Sequence, residues 1–163
     1  MIALSLDNAL SLSGWVVWED DQLKEYGTFQ TKSSETIEER LAAIWDYLTV
    51  LWTKYNFTHI FFEDVQKQTN TITYQRLCYV QAIILLWCQN HEIPYTILSP
   101  SHWRKVLNTK YGIKYGRSRA DQKAAAQEFV KQHYSLSLGE DICDAINLGH
   151  AGLLEYKKNE SAF

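Results

Sequence analysis

Ile2-Ala3-Leu4-Ser5-Leu6-Asp7 alternates like a half-buried strand and ends on an acid. Gly14-Trp15-Val16-Val17-Trp18-Glu19 follows, then Leu23 to Thr31, with the polar turn Asp20-Asp21-Gln22 between them. This predicts a three-strand antiparallel meander, and the rest of the chain has to be fitted around it. Thr58-His59-Ile60-Phe61-Phe62-Glu63 is a short apolar run of the kind a buried strand needs, and Pro94 to Leu98 predicts a fifth strand.

Between and after these strands the pattern turns helical. Ile37, Leu41, Ile44, Leu48 and Leu51 recur at spacings of four, three, four and three, with Trp45 and Trp52 widening the face and Ser33-Ser34 as the expected cap. A second helix is expected from about Asn70 to His91. It is apolar on nearly every side between Leu77 and Cys88, so either two sides are covered or the surplus face meets another subunit. Ser99-Pro100 has the form of a helix start, Ser118 is expected to cap a helix reaching Tyr134, and Gly139 to Lys158 forms the last helix. Three antiparallel strands followed by two helix-connected strands predict an α/β domain. Its sheet is mixed and five-stranded, three strands antiparallel and then two parallel, with helices on both faces.

No linker or repeat divides residues 1–163, which fit one domain, and a hydrophobic share of 46% with six Trp argues for a packed core. Leu77 to Cys88 is too short to span a bilayer, and Met1 leads straight into the first strand without a basic segment ahead of an apolar one. A cytoplasmic protein is therefore expected, with no membrane partner. Cys78, Cys88 and Cys143 show no zinc spacing and read as reduced thiols.

The net charge of -3 conceals an asymmetry. Residues 1–64 carry eleven acids and four bases, whereas residues 65–163 carry eight acids and twelve bases. Between Arg104 and Lys123 stand seven bases and one acid, Asp121. A stripe of this kind suits phosphates, and Lys105, Lys110, Lys114, Arg117 and Arg119 are the candidate DNA contacts; a solvated basic loop is the competing reading.

The acids carry the chemistry. If the fourth strand pairs in parallel with the first, Asp7 and Glu63 emerge together where strand order reverses, the place where α/β sheets bind ligands. Asp141 and Asp144 are three apart and share one helix face, opposite Ile142, Ala145, Ile146, Gly149 and Leu153. Each acid taken singly has an ordinary explanation as a turn, strand-end or helix-start residue. Together they would repel one another unless a hard cation such as Mg²⁺ or Mn²⁺ offset the charge.

With these motifs in hand, the chain resembles the RuvC-type Holliday-junction resolvases, most closely the short resolvase-like proteins of lactococcal phages. The resemblance rests on Leu4-Ser5-Leu6-Asp7 with Ser13-Gly14-Trp15, on Ile60 to Val65, on Ser118-Arg119-Ala120-Asp121-Gln122-Lys123, and on Asp141-Ile142-Cys143-Asp144-Ala145. It implies an RNase H-like fold, a homodimer built on the 70–91 helix, and Mg²⁺-dependent paired nicking of four-way DNA junctions with two ions per site. Asp7, Glu63, Asp141 and Asp144 match the family's metal-binding carboxylates. Lys123 matches a basic residue close to the scissile phosphate.

Two positions depart from the bacterial pattern. Ser5-Leu6-Asp7-Asn8-Ala9 stands where the family has Gly-Ile-Asp-Pro-Gly, and Gln66 stands where it has a wedge-like aromatic. The first predicts a turn of different shape, the second a relaxed, shape-directed preference for branched DNA. Competing readings are a catalytically silent DNA-binding module, an actin-like ATPase, and a nuclease for forks, flaps or RNA–DNA hybrids.

Overall fold

The computed structural model describes residues 1–162. The expected meander is β1 (Ile2–Asp7), β2 (Leu12–Glu19) and β3 (Gln22–Gln30). Asp20 and Asp21, at φ 47° and 68°, form the whole β2–β3 turn, so Gln22 already pairs with Glu19. Two consecutive left-handed residues make the turn whose twist matches a hairpin, and Asp tolerates that conformation well.

Helix α1 (Ile37–Tyr55) leads to β4 (His59–Glu63), and α2 (Thr71–Asn90) leads to β5 (Tyr95–Leu98). Three helices follow: α3 (Pro100–Tyr111), α4 (Arg119–Tyr134) and α5 (Glu140–Glu160). The sheet runs β3-β2-β1-β4-β5, with β1 antiparallel to β2 and parallel to β4. Ser99 and Ser118 cap α3 and α4 as expected. The cap of α1 differs: Thr36, not Ser33-Ser34, accepts from the Glu39 amide while Glu39 accepts from the Thr36 amide. Only Thr36 has a glutamate three residues on, and the reciprocal pair satisfies two free amides at once.

Pleat parity divides the core into two layers. Leu4 and Leu6 of β1, with Ile60 and Phe62 of β4, pack against Ile44, Leu48, Val80, Ile84 and Trp87 of α1 and α2. Ala3 and Phe61 face the opposite way, onto Ala145, Ile146 and Leu148 of α5 and Trp103 and Leu107 of α3. Helix α5 lies unusually close to the sheet. A Cβ on Gly149 would stand 2.4 Å from both Ser5 Oγ and Trp18 Nε1, so only glycine allows the approach. The contact is pinned by a buried relay: Trp18 Nε1 donates to Ser5 Oγ (2.9 Å), which donates to the Ala145 carbonyl (2.7 Å).

On α2, Val80, Ile84, Trp87 and Cys88 are buried, but Ile72, Tyr79 and Leu86 are 60%, 40% and 59% exposed. Their spacing of seven residues draws an apolar seam along the outer face. The surplus apolar side read from the sequence is thus an uncovered stripe of the chain.

Two histidines are buried in neutral form. His59 Nε2 lies 2.9 Å from Thr96 Oγ1, and His150 sits between the hydroxyls of Tyr111 (2.8 Å) and Tyr134 (2.5 Å). Burial depresses both to about 4, with His133 adding to the effect on His150. A depressed histidine contributes stability that is present above its ordinary value of 6.5 and lost as pH falls through about 4. His150→Gln, which keeps polar partners for both tyrosines, is expected to flatten the acid limb of stability between those values. Urea unfolding at stepped pH measures this, and an unchanged slope would exclude His150 as an acid-labile group.

Candidate active site

The same parity decides where the acids go. Asp7 lies two residues beyond Ser5 and Glu63 two beyond Phe61, so both side chains leave the sheet on the α5 side. Leu6 pairs with Phe62, so the two acids stand one step past the last matched pair of adjacent parallel strands. Asn8 closes the end of the ladder: its Oδ1 accepts from the Glu63 amide at 3.1 Å. The Asn8 side chain thus ties the two strand ends together.

Helix α5 brings Asp141 and Asp144 from its first turns. Its seat is set by Gly14 of β2: a Cβ there would fall 2.1 Å from the Asp141 carbonyl oxygen and 2.4 Å from its carbon. Lys123 of α4 reaches across and forms an ion pair with Asp144. Behind this pair, Tyr115 donates to Asn147 Oδ1 (2.6 Å), and Asn147 Nδ2 donates to the Ala126 and Cys143 carbonyls. That buried network fixes α4 against α5, and with it the distance between the lysine and the acids.

The electrostatics follow from the packing. Asp7 is raised well above the usual carboxylate range by burial, then by the negative charges of Asp144 and Glu63; Lys123 pulls the other way and Asp141 adds to the rise. No hydrogen-bond donor among the described residues relieves it. Burial also raises Glu63, against an opposing hydrogen bond from Trp103 Nε1 (2.8 Å). Asp144 is raised by burial despite Lys123. For Lys123, burial works against the charge, but the hydrogen bond and charge of Asp144 outweigh it and the lysine is held protonated.

The four acids and Lys123 thus share one field. Among the described residues, however, no three Asp, Glu, His or Cys side chains close to ligand distance. Two of the acids are engaged elsewhere, Asp144 by Lys123 and Glu63 by Trp103. The donor set still suits a hard cation: all oxygen, clustered, and centred on a half-buried carboxylate that no donor among the described residues relieves.

The basic stripe, contiguous in sequence, is divided in space. All five candidate contacts are exposed. Lys105 and Lys110 line a groove of about 470 Å³ between α3 and α5, joined by Lys158. Lys114 borders a second groove, of about 420 Å³, against α4. Arg119 lies close enough to Lys123 to act on its charge.

Three residues that sequence reasoning left out of the site prove central: Asn8, Trp103 and Arg104. The Arg104 guanidinium stacks 4.8 Å over the Trp103 ring, and its buried Nε has no hydrogen-bond partner among the described residues. Its charge acts on both Glu63 and Asp144, and it lines a cleft of about 270 Å³ with Asn8, Glu63, Asp64 and Gln66. The sequence signalled Arg104 only as one of seven bases.

A mixed sheet in this order, with acids at its reversal point and a helix carrying two more across it, defines an α/β protein of the RNase H-like fold. No family model matches the chain. Curated relatives do. Crossover junction endodeoxyribonuclease RuvC of Dictyoglomus thermophilum is 28% identical over 153 residues, covering 91% of this chain and 93% of the relative. The protein of the same name from Rickettsia akari is 27% identical over 154 residues, covering 92% and 95%. Among solved structures, Thermus thermophilus RuvC in complex with a Holliday junction substrate superposes with a TM-score of 0.77 at 10% identity, over 97% of this chain and 96% of that one. The yeast mitochondrial Holliday junction resolvase matches more loosely, with a TM-score of 0.56 at 12% identity over 91% and 77%. Along nearly its whole length the chain is thus similar to RuvC proteins in sequence, and it shares the fold of a RuvC solved with a Holliday junction.

Proposed function

We propose that residues 1–163 form one nuclease domain that nicks branched DNA, resolving four-way junctions by paired incisions within a homodimer. The observation that carries this reading is Asp7: a half-buried carboxylate with no hydrogen-bond donor among the described residues, flanked by Glu63 and Asp144 and faced by Lys123. Burying that much negative charge is costly, and a cation offsets the cost. A DNA-binding module without catalysis needs the basic surface but not the acids, which disfavours that alternative.

Asp7, Glu63, Asp141 and Asp144 would hold two Mg²⁺, with Mn²⁺ as substitute. When bound, such ions lower the pKa of an attacking water and offset charge on the leaving oxygen. The chain's own groups do the rest. Trp103 and Asn8 hold Glu63 and its strand end in place, and Lys123 is carried on α4 beside the acids, protonated and able to turn from Asp144 to a phosphate oxygen. Arg104 adds a second cation beside Glu63. Hydrolysis on this plan leaves 5′-phosphate and 3′-hydroxyl ends.

The exposed Ile72, Tyr79 and Leu86 seam of α2 supports the dimer, which supplies the second site for the opposite strand. Lys105, Lys110, Lys114, Arg117 and Arg119 contact phosphates and carry little sequence information. Gln66 is exposed in the cleft wall, not an aromatic wedge, which supports relaxed sequence preference. Kinship with the resolvase-like proteins of lactococcal phages, acting in the host cytoplasm, belongs to the same proposal. The observed helices include none long and apolar enough to cross a membrane, among the described residues.

The test uses a synthetic four-way junction, a fork and a linear duplex, each with Mg²⁺, Mn²⁺ or EDTA. Metal-dependent nicking that favours the branched forms is expected, at similar rates across junctions of varied sequence. Binding without cutting under every condition would move the reading to the silent module, and a fork preferred over the junction would move it to a fork nuclease. Neutralising any one of the five basic candidates is expected to reduce the slope of log affinity against log salt by about one unit. An unchanged slope removes that residue from the interface.

A further inference from the structure

Trp103 is a core residue with one polar side-chain atom, and that atom is directed at the site. Its ring is 1% exposed and packs edge-on against Tyr115 at 5.4 Å between centroids. The ring is therefore immobilised by α3 and the core, and its Nε1–H points at Glu63 Oε2 from 2.8 Å. The Glu63 carboxylate makes no other side-chain hydrogen bond among the described residues; Arg104 and Lys123 act on it through charge, so the indole is its one directional contact.

We infer that Trp103 is a positioning residue for the cation site: its indole N–H locks the Glu63 carboxylate so that Oε1 is presented toward the Asp7 side of the cleft as a ligand. The inference rests on the function proposed above and deepens it. An indole donates one hydrogen bond and accepts none, so it can orient a carboxylate without competing for the cation. Outer partners of this kind orient ligating side chains and commonly govern metal affinity by about ten- to a hundred-fold. Repulsion from Asp7 and Asp144 would otherwise turn a free Glu63 away from the cleft.

The test measures Mn²⁺ binding to the full chain without DNA, reading free Mn²⁺ by electron paramagnetic resonance, for wild type, Trp103→Phe, Trp103→His and Glu63→Gln. Melting in EDTA establishes that each variant is folded. Phenylalanine keeps an aromatic ring in the core and removes the donor; histidine is smaller but retains a ring N–H. Trp103→Phe is expected to weaken Mn²⁺ binding by about ten-fold or more, with partial recovery in Trp103→His. Wild-type affinity in Trp103→Phe overturns the inference. Equal losses in the two variants overturn it as well, since packing and not the donor would then be responsible. Unchanged binding in Glu63→Gln overturns Glu63 as a ligand, and with it the functional reading on which the inference depends.

Discussion

Asp7→Asn is expected to reduce junction cleavage by roughly a thousand-fold or more while leaving junction binding in EDTA at least as tight as wild type. Asparagine matches the shape of aspartate, so β1 and its pairing with β4 are undisturbed. What disappears is the central negative charge that a cation needs, and with it some repulsion toward the incoming phosphate. The same substitution has a second signature. Burial and the neighbouring acids raise Asp7 well above 3.8, so its contribution to stability is full below that value and lost as pH rises through the folded-state value. As pH rises above 3.8 the metal-free wild type progressively loses it, whereas asparagine has nothing to lose. Asp7→Asn should therefore melt higher than wild type in EDTA at pH 7.5, by a margin that shrinks on acidification, and should gain less on adding Mg²⁺. Near-wild-type cleavage would remove Asp7 from the chemistry. Equal melting temperatures in EDTA would mean that its charge is relieved by some other group.

Gly14→Ala is the second large effect, and it acts through backbone. The new methyl would meet the Asp141 carbonyl oxygen at 2.1 Å, its carbon at 2.4 Å and the Ile142 nitrogen at 2.9 Å. None of these is a flexible side-chain end, so the first turn of α5 has to move away from β2. Overpacking of this kind costs about 3 kcal/mol, which for a domain of this size lowers Tm by roughly 10 °C. Because Asp141 and Asp144 ride on that turn, cleavage should fall further than stability explains: at a temperature where the variant is fully folded, a loss of about a hundred-fold is expected. Thermal melts and junction cleavage on one preparation separate the two effects. A variant as stable and active as wild type would mean that α5 can slide along the sheet without consequence.

The two substitutions probe features of unequal visibility in the sequence. Asp7 could be singled out from the chain alone, because an acid ending a strand of alternating pattern is locally conspicuous. Gly14 was part of a recognisable Ser13-Gly14-Trp15 step, but nothing local says that its missing Cβ makes room for a helix 127 residues later in the chain. Trp103 and Arg104 were harder still. In sequence they are one of six tryptophans and one cation among seven, and only the seat of α3 beside β4 turns one into a donor to Glu63 and the other into a charge beside it. The basic stripe is contiguous in sequence, whereas in the fold Lys105 and Lys110 of α3 line one groove and Lys114, beyond the turn that ends α3, lines another.

By itself, the sequence determined the elements and their order, because strand alternation, helical spacing and caps such as Ser99-Pro100 and Ser118 are enforced by backbone geometry within a few residues. It also marked the four acids, since ionisable groups beside apolar runs stand out by composition. Tertiary structure decided what those acids experience. Parity carries Asp7 and Glu63 to the α5 face, the glycines of β2 and α5 set how closely that helix approaches, and the buried Tyr115–Asn147 network sets Lys123 against Asp144. Burial, desolvation and charge interaction depend on distances between segments far apart in the chain, which local pattern does not encode.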